Sequence, residues 1–136
     1  MLFTRKINEP LHIEVKESPL HGRGVFAKNR ITKGSLIERA PVIFLSNDEK
    51  EILRFTKLFH YYFLLSGPEK QVAFSFGHAS FYNHSAKANA FYTFSRKRNT
   101  INLYACQTIE AGDEVTINYN GKPNDRSEVY FPNSDE

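Results

Sequence analysis

Ser80-Phe81-Tyr82-Asn83-His84-Ser85-Ala86-Lys87-Ala88-Asn89-Ala90 is the stretch on which the reading of this chain turns. Asn83, His84 and Ser85 stand in a row, and Asn89 follows shortly after. Aromatic residues flank them, Phe81 and Tyr82 before, Phe91 and Tyr92 after. A solvated loop has no need of such flanks. A core segment has no need of so many hydrogen-bonding side chains, because buried polar groups left unpaired cost stability. The compromise is a tight, half-buried turn whose amides and carbonyls face a ligand or another segment of chain.

The rest of the chain supplies the setting. At 136 residues it is long enough for one domain with a real core. Twelve Phe and seven Tyr tilt it toward strands. A single cysteine, Cys106, excludes an internal disulfide framework and an all-cysteine zinc site, and the five scattered histidines add no zinc spacing. So little cysteine points to a reducing compartment, cytoplasmic or nuclear. The opening MLFTRKINEP holds too short an apolar run for a signal peptide. No stretch approaches the ~20 apolar residues of a membrane span, so no membrane partner is expected. A net charge of +3 permits contact with nucleic acid but does not require it. Arg96-Lys97-Arg98, the densest basic cluster, reads as a solvated turn.

Taken in order, residues 12–16 alternate with Ile13 and Val15 on one face, which predicts a strand. Residues 18–22 form a turn and residues 23–27 a second strand. Residues 36–45 are apolar and extended, and Pro41 marks an edge strand or a step between two strands. Ser46 with Glu49 forms a capping box, and Ile52, Phe55, Leu58 and Phe59 follow at helical spacing. Residues 60–65 are aromatic enough for a strand, and Gly67-Pro68 stops the run. Residues 90–94 and 101–106 read as a hairpin, and residues 115–119 as a final strand. Residues 31–37 echo residues 109–115, each a glycine turn feeding a strand. The sum is many short strands and little helix, without βαβ alternation.

Few residues carry chemistry alone. Gly22-Arg23-Gly24 lacks the third glycine of a dinucleotide fingerprint; it is a hairpin turn or a close backbone approach to a ligand. His84 has no acid or nucleophile beside it in sequence. Cys106 reads as a small core residue in mid-strand, and Asp113-Glu114 as a solvated turn. Tyr119 ends a strand and is equally a core tyrosine or a site residue.

In combination they say more. Gly22-x-Gly24-Val25-Phe26-Ala27, then Asn83-His84-Ser85 with Asn89-Ala90, then Ile109-x-Ala111-Gly112-Asp113-Glu114-Val115-Thr116-Ile117-Asn118-Tyr119 resembles the SET domain of protein-lysine methyltransferases. The likeness runs from about Leu11 to Gly121 and is greatest to the minimal SET proteins of viral and bacterial type. It implies a mainly β fold of several small sheets, one short helix and a C-terminal pseudo-knot, an exception to the rule against threaded chains. Residues 80–90 and 109–119 would be the halves of that knot. Residues 1–121 would be the catalytic domain, and residues 122–136 a tail completing the lysine channel.

The resemblance also implies S-adenosylmethionine as methyl donor, held by Arg23, Gly24, Val25 and Phe26 largely through main chain, with Asn83 and His84 from the knot side. Tyr119 matches the catalytic tyrosine, which also borders the cofactor, and Tyr61 or Tyr62 would be a second channel tyrosine. Ile117 falls where Phe or Tyr is frequent, which implies a product not confined to one methyl. Ala86 and Ala88 replace the usual Cys and Pro, and no cysteine-rich tail follows; Tyr130 and Phe131 are the late aromatics left to close the channel. The implied partner is a protein carrying a lysine, histone first, met by a monomer or homodimer. The rival readings are a non-catalytic SET-like module binding peptide or nucleic acid, and a small-molecule amine methyltransferase.

Overall fold

A computed structural model describes residues 10–65 and 68–126. Two sheets carry the chain. One has the order β1-β2-β9-β6, the other β4-β5-β3-β8-β7. The first contains β1 (Ile13–Glu17), β2 (Arg23–Ala27), β6 (Asn83–His84) and β9 (Glu114–Ile117). The second contains β3 (Leu36–Leu45), β4 (Tyr62–Leu64), β5 (Val72–Ser75), β7 (Ala90–Ser95) and β8 (Thr100–Ala105). The expected mainly β architecture with one short helix is what forms. The segments expected to build the knot lie side by side: β6 pairs in parallel with β9, Asn83 opposite Thr116 and His84 opposite Ile117.

The two echoing turns pair with each other. Ile31 and Ile109 exchange both backbone hydrogen bonds at 2.8 Å. The contacts around them repeat with their roles swapped. Ala27 N–H donates to Asp113 at 2.9 Å, as Ala105 N–H donates to Ser35 at 3.0 Å. Gly112 N–H reaches Ala27 as Gly34 N–H reaches Ala105, both at 2.8 Å. Gly34 and Gly112 have φ of 87° and 89°, a conformation that glycine adopts without steric cost. A local two-fold thus joins the sheets, and its buried pivots are Ile31 and Ile109.

Pro41 sits at a step. β3 pairs with β8 up to Pro41–Thr100 and with β5 from Val42–Ser75 onward. The strand is internal to its sheet, so the edge alternative falls and the step remains. The capping box forms as expected: Ser46 Oγ accepts the Glu49 N–H, and the Glu49 carboxylate accepts the Ser46 N–H. The helical spacing beyond it does not hold. Helix α1 covers only Asn47–Leu53, followed by a 3-10 helix at Lys57–His60. Ile52, Phe55 and Leu58 are exposed, because nothing in the described fold packs on that face. Cys106 lies just past β8, half-buried, with its thiol donating to the Ala88 carbonyl at 3.3 Å. It is a strand-end residue, not a mid-strand one. Arg96 is engaged in the β7–β8 turn, donating to Gln71 and lying over the Phe44 ring.

One carboxylate is buried outright. Glu38 is 3% exposed on β3. It accepts the Tyr82 hydroxyl and the His78 N–H, both at 2.9 Å. Burial raises its pKa above the ordinary 4.5, against those hydrogen bonds, which lower it. A raised carboxyl pKa means that the fold gains most with the group protonated, and that this gain is lost as pH rises through the folded value. Glu38→Gln keeps an acceptor for Tyr82 and removes the ionisation. As pH rises above the ordinary carboxylate value of 4.5, the wild type should therefore lose stability relative to Glu38→Gln, measured by denaturant unfolding. A constant difference would contradict this assignment.

Candidate active site

β9 has a different neighbour on each edge, and the pairings are staggered. Glu114 and Val115 face Phe26 and Val25 of β2. Thr116 and Ile117 face Asn83 and His84 of β6. The ladder between β2 and β9 stops at the Val25–Val115 pair; residues 22–24 keep their backbone pairing to the β1 side, and side chains span the β9 side. Asn83 does this. Its amide nitrogen is 3.1 Å from the His21 carbonyl, 3.2 Å from the Arg23 carbonyl and 2.8 Å from the Glu114 carboxylate. The other Glu114 oxygen accepts the Ser18 hydroxyl. Gly24 fits between them only because it lacks a side chain: a Cβ there would lie 2.6 Å from Glu114 Oε2 and 2.9 Å from Asn83 Nδ2.

Asn89 secures the far side. Its Oδ1 accepts the Thr116 N–H at 2.8 Å, and its Nδ2 donates to the Glu114 carbonyl at 2.9 Å. Beyond β9 the chain delivers Tyr119. Its hydroxyl donates to the Tyr82 carbonyl at 2.8 Å, and its N–H donates to His84 Nδ1 at 3.1 Å. The rings of His84 and Tyr119 are 5.2 Å apart. Accepting at Nδ1 makes His84 the neutral tautomer with its proton on Nε2, and burial lowers its pKa in the same sense. Burial, and secondarily the negative charge of Glu114, push the Tyr119 phenol up to about 12. Tyr82 supports Tyr119 from a buried position, its own hydroxyl tied to Glu38.

The expected site residues divide. Gly24, Asn83, His84 and Tyr119 converge directly, and Arg23 joins them through its carbonyl. Val25 and Phe26 have strands on both sides, and their side chains are buried. Val25 packs into the core, and the Phe26 ring lies under the Lys16 ammonium at 4.6 Å. Ile117 is fully buried in the core. Tyr61 and Tyr62 lie at the start of β4, the edge strand of the other sheet; Tyr61 is exposed and the Tyr62 ring packs on Phe59 at 5.6 Å. Tyr130 and Phe131 lie outside the described residues.

One residue beside the site escaped sequence reading. Glu114 was expected to be a solvated turn residue, yet it lies half-buried between Ser18, Asn83 and Gly24.

The chain matches known proteins over this same framework. The model of the SET domain family covers residues 22–120. A fission yeast protein of Schizosaccharomyces pombe, named histone-lysine N-methyltransferase, H3 lysine-37 specific, is 31% identical over 114 residues, spanning 83% of this chain and 75% of that protein. The crystal structure of a candidate histone methyltransferase of Plasmodium falciparum superposes with a TM-score of 0.66 at 29% identity, covering 83% of this chain and 95% of that one. This chain therefore belongs to the SET-domain family of protein-lysine methyltransferases.

Proposed function

We propose that the protein transfers methyl groups from S-adenosylmethionine to the side-chain amine of a lysine in a protein, with a histone tail as the leading substrate. The observation that carries this is the meeting of the residue 21–24 turn, the Asn83-His84 strand and the Tyr119 hydroxyl at one place. Gly24 is packed so closely against the Glu114 carboxylate and the Asn83 amide nitrogen that any Cβ would displace them, and the main-chain carbonyls of His21 and Arg23 lie beside it. With its nitrogen held there, the Asn83 amide turns its oxygen the other way, as an acceptor for a ligand carrying an ammonium. Arg23, Gly24, Asn83 and His84 would hold it. Bound there, S-adenosylmethionine supplies an electrophilic methyl for a neutral amine.

The chain's own residues do the rest. A phenol with a pKa of about 12 stays protonated at neutral pH, so Tyr119 is not the base. Its proton is committed to the Tyr82 carbonyl, which leaves its oxygen as an acceptor for an amine N–H. Accepting that bond orients the amine lone pair, a positioning effect. A lysine amine, with a free pKa of ~10.4, loses its proton to water once desolvated beside a positive charge. The rate should therefore rise with pH as the substrate amine deprotonates. Ile117 offers no hydroxyl to retain a water, which supports transfer of more than one methyl. Asn118 is buried and ties the carbonyls of Pro123 and Asp125 close after Tyr119. Tyr130 and Phe131, outside the described residues, are assigned to the wall of the lysine channel on family likeness alone. The name of the yeast relative supports a chromatin substrate, and with it a nuclear location.

Two variants separate binding from turnover. With core histones and labelled S-adenosylmethionine, Tyr119→Phe should lose about 100-fold or more in kcat while cofactor affinity stays within about threefold. Gly24→Ala should instead weaken cofactor binding by about tenfold or more, because the new Cβ displaces Asn83 or Glu114. Wild-type turnover by Tyr119→Phe, or no transfer to any protein by the wild type, would reject the proposal. Intact-mass analysis of the product should show di- or trimethylated lysine; monomethylation alone would reject the role given to Ile117.

A further inference from the structure

Glu114 is the charged group at the centre of the site that the reaction scheme leaves without a task. Its carboxylate spans two segments distant in sequence, accepting the Ser18 hydroxyl on one oxygen and lying 2.8 Å from Asn83 Nδ2 on the other. Its main-chain carbonyl takes the Asn89 amide at 2.9 Å. The second carboxylate oxygen is also the atom closest to the space above Gly24.

The chemistry of Asn83 gives these contacts meaning. A side-chain amide has a donor end and an acceptor end of nearly the same shape, and its neighbours decide which way it faces. All three partners around its nitrogen, the carbonyls of His21 and Arg23 and the carboxylate of Glu114, only accept. A flipped amide would set its oxygen against three acceptor oxygens. The carboxylate is the nearest of the three and the only charged one, so it contributes most to the preference. With the nitrogen held by this group, Oδ1 faces the other way, as an acceptor for an ammonium.

We infer that Glu114 is a positioning residue that fixes the facing of the Asn83 amide and thereby sets the affinity for the methyl donor's amino-acid portion. The inference rests on the proposed use of S-adenosylmethionine. It makes a distinction that a direct charge effect does not. S-adenosylmethionine and its demethylated product share the same ammonium and carboxylate and differ in the sulfonium charge. Loss of amide orientation weakens both ligands alike. Loss of a nearby negative charge weakens the sulfonium ligand more than the product, because the ammonium is common to both and the sulfonium is not.

The test is titration calorimetry of the full chain with each ligand, using the wild type, Glu114→Ala, Glu114→Gln, Glu114→Asp, Asn83→Ala and the Asn83→Ala/Glu114→Ala pair. Glutamine can offer its oxygen to Asn83 and its nitrogen to the Ser18 hydroxyl, so it should bind both ligands within about threefold of wild type. Alanine should weaken both by about tenfold, and should add less than about threefold once Asn83 is already alanine. Aspartate keeps the charge but falls a methylene short, so it should lose affinity where glutamine does not; this comparison decides the matter if the alanine variant fails to fold. The inference is overturned if Glu114→Ala binds both ligands as the wild type does, if its effect multiplies with that of Asn83→Ala, or if Glu114→Gln loses only the sulfonium ligand. A wild type that binds neither ligand overturns the cofactor reading itself.

Discussion

The side-chain amide of Asn89 makes the two bonds to β9 that a neighbouring strand would make, accepting the Thr116 N–H and donating to the Glu114 carbonyl. Much depends on this substitution of side chain for strand. β6 is two residues long, too short a ladder to hold β9 by itself. Without Asn89, two main-chain groups of a largely buried strand would lack partners, at a cost of about 1–3 kcal/mol each. The main chain of Asn89 adds a second tie, because its carbonyl accepts the Cys106 N–H at 2.9 Å. One residue thus joins the knot to the end of the β7–β8 hairpin, and so one sheet to the other.

With β9 held on that edge, its opposite edge parts from β2 beyond Val25–Val115, and polar side chains span the opening. Asn83 and Glu114 there have partners whose loss the fold would register, so the candidate ligand-binding groups are also structural ones. The same economy holds for Tyr119. Its N–H is fixed by His84, its hydroxyl by the Tyr82 carbonyl, and Tyr82 in turn by buried Glu38. The phenol is oriented before any substrate arrives, which is the condition for catalysis by positioning. His84 accordingly meets the backbone of Tyr119 through its Nδ1.

What the sequence made legible follows from the range of each signal. Alternation, the Ser46–Glu49 capping box and the hairpin turns are local patterns, and the elements they predict form within a residue or two. The order of the glycine, Asn83-His84 and Tyr119 motifs carried the topology through family likeness, which no periodicity contains. The residues misread are those whose partners lie far along the chain. Glu114 looks like a solvated turn residue because Ser18, its partner, is 96 residues away. Glu38 gave no signal, since Tyr82 and His78 reach it from another segment. The apolar spacing after Leu53 misled for the opposite reason: the local pattern was helical, but no layer among the described residues buries Phe55.

The central claim is that the parting of β2 from β9, bridged by Asn83, is where the methyl donor binds. Amide hydrogen exchange with and without S-adenosylmethionine tests it most directly. The account predicts that protection concentrates in residues 21–24, 83–85 and 117–119, with little change across β3, β4 and β5. Protection confined to that second sheet, with residues 21–24 and 83–85 unaffected, would contradict it.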